Sequence, residues 1–71
     1  MNDYGARVER GRVIAMEGNG ARVASLSRTG VVTPPLAYDI RFEPPISTGD
    51  GVFFFVFEDG SGRIIGRFEG G

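Results

Sequence analysis

Hydrophobic positions along this chain fall in short runs that alternate with polar ones, and Gly or Pro closes nearly every run. Alternation with period two, bounded by turn-forming residues, is the signature of half-buried β-strands. Helices of ordinary length do not fit between such closely spaced breakers. Five strands are predicted, at residues 7–16, 21–27, 36–42, 52–57 and 63–68. In the first, the apolar positions change parity between Val8 and Val13, with Gly11 between them. A β-bulge at Arg10-Gly11 would produce that switch, because one extra residue turns the following side chains to the other face.

Between these strands the chain carries recognisable turn chemistry. Glu17-Gly18-Asn19-Gly20 is the strongest turn signal, and its Asn-Gly step offers two residues tolerant of positive φ, as tight hairpins demand. Glu58-Asp59-Gly60-Ser61-Gly62 forms the second turn. Pro34-Pro35 breaks ladder hydrogen bonding ahead of the predicted strand at 36–42. That strand has the cleanest alternation: Leu36, Tyr38, Ile40 and Phe42 share one face, and Ala37, Asp39 and Arg41 the other. A connecting loop at 43–51 leads to the fourth strand.

The order hairpin, strand, loop, hairpin has no room for a crossover helix. It predicts an all-β domain, a small five-stranded antiparallel barrel of OB-like type, with an SH3-like barrel as the alternative strand order. Closure would remove the open edges of a flat five-stranded sheet. The domain spans 7–68, with a flexible arm at 1–6 and a frayed end at 69–71.

The predicted strand at 52–57 breaks the half-buried pattern. Val52, Phe54 and Val56 point one way, and Phe53, Phe55 and Phe57 the other, so both faces are apolar. With the valine-containing face in the core, three Phe rings face outward, and each can bury about 150–250 Å². Monomers rarely expose so large a patch. Phe53, Phe55 and Phe57 are therefore the candidate interface, either of a homo-oligomer (dimer or trimer) or with other protein subunits. Small size points the same way, since a chain of 71 residues buries only about 60% of its unfolded surface.

Composition narrows the chemistry. The chain has 71 residues with no Cys, His, Trp, Lys or Gln, and all eight basic residues are Arg. That removes disulfides, thiolate nucleophiles, the usual general base and Schiff-base lysines. Catalysis could rest only on carboxylates, Arg, Tyr or hydroxyls, and so short a chain has little room for a cleft around them. The expectation is a non-enzymatic protein without cofactor or metal. Asp39 and Glu43 flank the third predicted strand, and Asp50, Glu58 and Asp59 sit in loops. Glu58, Asp59 and Ser61 fall short of the ligand count of a calcium loop.

Charge supplies the competing reading. Arg7, Arg10, Arg12, Arg22 and Arg28 crowd the first thirty residues, giving that part a formal +2 against -3 for the remainder. OB barrels often bind single strands through a basic groove and stacking aromatics, so Arg10, Arg12, Arg22 and Arg28 are candidate nucleic-acid contacts. A pI near 5.2 and a net charge of -1 disfavour that partner. A third alternative is an accessory domain of a larger enzyme. Met1-Asn2-Asp3-Tyr4-Gly5 has neither a basic start nor an apolar run, and the longest apolar run is the six residues 52–57. The expectation is a cytoplasmic protein without a membrane partner.

A family resemblance adds to this reading. The chain runs Gly11-Arg12-Val13, Ala21-Arg22-Val23, Val32-Thr33-Pro34-Pro35-Leu36, then Pro45 before Gly49-Asp50-Gly51-Val52, and finally Gly62-Arg63-Ile64-Ile65-Gly66. This layout resembles the OB domain of phage baseplate and tail-spike proteins and of related contractile injection systems. There a variable-threonine-proline segment follows the second strand, a Gly-Asp or Gly-Glu turn launches an apolar strand, and a closing strand ends in Ile/Leu-Gly. The tryptophans common around the middle loop of that family are absent here. The resemblance implies a structural, usually trimeric role in a tail or baseplate, located in the virion or its assembly intermediates, and no catalysis.

Overall fold

The computed structural model describes residues 7–70; the arm expected at 1–6 and the terminal Gly71 lie outside them. Strands β1 (Glu9–Glu17), β2 (Gly20–Ser25), β3 (Gly51–Val56) and β4 (Gly62–Glu69) form one open antiparallel sheet in the order β2-β1-β3-β4. No helix occurs among the described residues. The chain is therefore all-β, built from two hairpins joined by a long connection.

The fifth strand expected at 36–42 does not form. Leu36 and Ala37 make only isolated bridges, and the chain then turns. Asp39 drives the turn: its carboxylate accepts the Arg41 backbone N–H at 2.8 Å, and its carbonyl accepts the Phe42 N–H at 3.2 Å. Asp in this role satisfies the local backbone and removes the need for a ladder partner. Ile40, expected beside Leu36 in the core, is 89% exposed. Leu36 is buried, while Tyr38 and Phe42 pack against the core from its margin.

The segment 31–37 nevertheless ties the sheet together. Ala21 and Leu36 exchange two backbone hydrogen bonds (3.0 and 2.9 Å), Thr33 N–H donates to Val23 O, and Ile64 N–H donates to Ala37 O at 2.9 Å. One extended passage thus touches the outer edge of β2 and then the outer edge of β4, the two strands left unpaired on one side by the sheet order. Edge groups satisfied in this way are not open to uncontrolled pairing.

The core gathers Val13, Val23, Leu36, Ile46, Val52, Phe54 and Ile64. Phe54 is fully buried, and its burial alone is worth about 2–3 kcal/mol. The expected bulge at Arg10-Gly11 lies elsewhere. The β1–β2 register shifts between Val13 and Ala15, leaving Ile14 as the extra residue. Val8, whose parity suggested the bulge, is exposed and takes no part in the core. Gly11 is required for a different reason: a Cβ there would sit 2.7 Å from the Phe54 ring and would collide with Val23. The first hairpin also differs in detail. It turns on Gly18-Asn19, with positive φ (58°) at Gly18 alone, so Asn-Gly does not supply the two positive φ values. Positive φ at only the first central residue is the requirement of a type II′ turn.

A buried ion pair closes the far end of the sheet. Arg67 on β4 donates to Asp50 at 3.2 Å, with side-chain exposures of only 13% and 5%. Asp50 also accepts the Ser47 N–H at 3.0 Å, and the Arg67 guanidinium lies over the Phe42 ring at 5.5 Å. The loop carrying Ile46 is thereby fastened to β4. Every buried side-chain N or O among the described residues has a hydrogen-bond partner.

Candidate interaction surface

The strand at 52–57 divides its side chains as its alternation requires. Val52 and Phe54 are fully buried, Phe53 and Phe55 are half-buried on the opposite face, and Phe57 is 42% exposed just beyond the strand. The three rings do not form one continuous array. Phe55 and Phe57 make an edge-on pair with centroids 5.3 Å apart. Phe53 instead pairs at 5.3 Å with Phe68 of β4. Offset and tilted aromatic pairs of this kind add about 0.5–1.5 kcal/mol beyond the area they bury.

Phe68 is a surface residue that strand reading placed in β4 without a role. Its position follows from two register shifts in the β3–β4 ladder, one between Gly51 and Val52 and one between Phe53 and Phe54. These leave Ile65 and Phe68 as extra residues on β4. Phe68 lies over Gly51, where a Cβ would meet its ring at 2.6 Å. The only sequence signal was the pairing of glycines with phenylalanines on neighbouring strands, which becomes visible once the register is known. Beside Phe53, Val8 and Leu26 are both more than half exposed.

The arginine candidates do not form a single basic track. Arg12 donates to Gly49 O at 2.8 Å and to Glu69 at 3.1 Å. Arg22 pairs with Glu17 at 2.7 Å, and Arg28 with Glu9 at 2.7 Å. Arg10 alone of the four has no acidic partner among the described residues; its guanidinium stands 6.0 Å from the Phe68 ring centroid.

Beside Phe53 lies an open groove of about 980 Å³. Val8, Leu26, Phe53 and Val56 line it with apolar surface, and Arg7, Arg10 and Arg28 rim it. Glu9 is the only acid there, and its carboxylate is fully engaged. It accepts from Ser25 Oγ (2.9 Å), Ser27 Oγ (3.3 Å) and two Arg28 nitrogens (3.1 and 2.7 Å). Burial is the largest single influence and pushes the Glu9 carboxyl up; together the Arg28 and serine hydrogen bonds and the Arg28 charge outweigh it and hold the group below its ordinary value.

Two loop acids, Asp39 and Asp59, hold their own turns. Asp39 is held down to about 2 by hydrogen bonds from the Arg41 side chain and then from its backbone N–H. Asp59 accepts Ser61 Oγ at 2.6 Å and the Ser61 N–H at 2.9 Å, and the hydroxyl bond chiefly lowers its pKa. Among the described residues, no three acids gather as a metal-binding group, and no helix is long and apolar enough to cross a membrane. Compared with family models, curated proteins and solved structures, the chain finds no match.

Proposed function

We propose that this chain is a non-catalytic assembly module that associates with copies of itself, or with other subunits, through the outer face of β3. The supporting observation is that Phe53, Phe55 and Phe57, joined by Phe68, present aromatic surface on the side of the sheet away from the core. A sheet face of this composition is stable in water at a cost that a partner relieves. Passage of 31–37 between both sheet edges supports a small OB-type barrel as the architecture. That reading agrees with the resemblance to phage baseplate and tail-spike OB domains, and with a place in the cytoplasm or in an assembled virion. The arginine pairing counts against nucleic acid, because charges already neutralised by Glu9, Glu17 and Glu69 release few counterions on binding a phosphate backbone.

Light scattering coupled to size-exclusion chromatography tests the proposal. The expected result is an oligomer that Phe55→Asp converts to a monomer with an unchanged β-sheet spectrum. A wild-type protein that stays monomeric at high concentration would overturn self-association as the role of this face.

A further inference from the structure

One end of the molecule carries two surfaces of opposite character side by side. The groove has three arginines against one engaged glutamate, a formal excess of two positive charges over apolar walls. The β3–β4 hairpin tip directly continues one of those walls: Val56 lines the groove, and exposed Phe57, Glu58 and Asp59 follow it. The antiparallel pairing of Glu9 with Phe54 brings the start of β1, with Arg7 and Val8, alongside the end of β3. The tip is held in shape by Gly60 N–H donating to Phe57 O at 2.9 Å and Phe57 N–H donating to Ser61 O at 2.7 Å. Among the described residues, no ion pair links Arg7 or Arg10 to Glu58 or Asp59 within the chain.

We propose that the occupant of this groove is the Phe57-Glu58-Asp59 tip of a second copy of the chain, in a reciprocal two-fold contact. Because groove and tip adjoin, rotating one copy by 180° about an axis between them sets each tip against the other's groove. This is the self-complementary arrangement of an isologous interface. The aromatic ring of Phe57 meets Val8, Leu26 and Phe53, and the carboxylates meet Arg7 and Arg10. Charge complementarity then fixes the register of an apolar contact that would otherwise be loosely specified. The inference rests on the self-association proposed above and specifies its partner and geometry.

Charge exchange tests it, measured by sedimentation at low salt. Arg10→Glu and Glu58→Arg, both on exposed side chains, should each weaken self-association at least about tenfold, since each places like charges together twice per dimer. Mixed in equal amounts, the two variants should recover association, because both contacts of the heterodimer are again oppositely charged. Arg7→Glu serves as a second groove variant with the same expectation. Wild-type assembly in both single variants, or a mixture that stays dissociated, would overturn the inference. If Phe55→Asp alone disperses the oligomer, the assembly role stands and this geometry falls; a monomeric wild type removes both.

Discussion

The two faces of β3 differ by one residue of offset and little in composition, yet they do different work. The inner face places Val52 and Phe54 in a core where neither retains measurable exposure. The outer face places Phe53 and Phe55 where they are half-covered, each by another ring. Hydrophobicity does not distinguish the faces; the neighbours do. Inside, the absent Cβ of Gly11 admits the Phe54 ring, and Leu36 and Ile64 are buried in the same cluster. Outside, the bare backbone of Gly51 supports Phe68, and beyond the rings there is solvent or a partner. The same residue type is therefore fully buried in the core on one side and left partly exposed on the other.

The strongest way to break that comparison is to shorten one ring on each face. Phe54→Ala should cost about 3–5 kcal/mol in urea unfolding, the range for truncating a buried aromatic that leaves a cavity. A cost under 1 kcal/mol would show that the inner face is not the core. Next in size is the pair that fastens the loop to β4. Arg67→Met alone should destabilise by about 3 kcal/mol, because it takes the compensating guanidinium charge away from the buried Asp50 carboxylate. Replacing both partners, as Asp50→Leu with Arg67→Met, should recover part of that loss, and calorimetry of the two variants measures the difference.

On the outer face, Phe55→Ala should lower the stability of the isolated chain by only about 1 kcal/mol, as expected where a ring keeps one side in solvent. Its larger effect should fall on self-association. A stability loss equal to that of Phe54→Ala would abolish the distinction between the faces.

The smallest expected effect concerns Glu9. Its folded pKa lies below the ordinary glutamate value of 4.5, so its contribution is complete above that value and is lost as pH falls through the lower folded value. The stability gap between wild type and Glu9→Gln should therefore be constant near neutrality and close below pH 4.5. A gap that widens in acid would reverse the assigned sign. The Arg41 side chain is solvent-exposed, and in moderate salt Arg41→Ala, which leaves the Asp39 turn bond to the backbone in place, should leave unfolding unchanged.

Strand residues were legible where alternation coincided with turn chemistry. The runs around Val13, Val23, Phe54 and Ile64 became β1 to β4 within a few residues of their expected limits. The segment at 36–42 misled because its alternation was the most regular in the chain. Alternation shows that a strand could bury one face, but it does not show that a ladder partner exists. Asp39 chose the turn, and Ile40 went to solvent. The candidate surface was legible in part. Phe53, Phe55 and Phe57 stood out as a second apolar face, while Phe68 depended on two register shifts that no local pattern encodes.

Sequence alone determined the all-β character, both hairpins and the placing of apolar residues on both faces of β3, because these follow from residue period and backbone preference. Tertiary structure decided the bulge at Ile14, the passage of 31–37 along both sheet edges, the Asp50–Arg67 pair and the acid partners of Arg12, Arg22 and Arg28. Most of these join residues distant in the chain, such as Arg12 with Glu69 and Arg67 with Asp50. Their geometry depends on strand register and burial, which are fixed only when the whole core closes around Phe54.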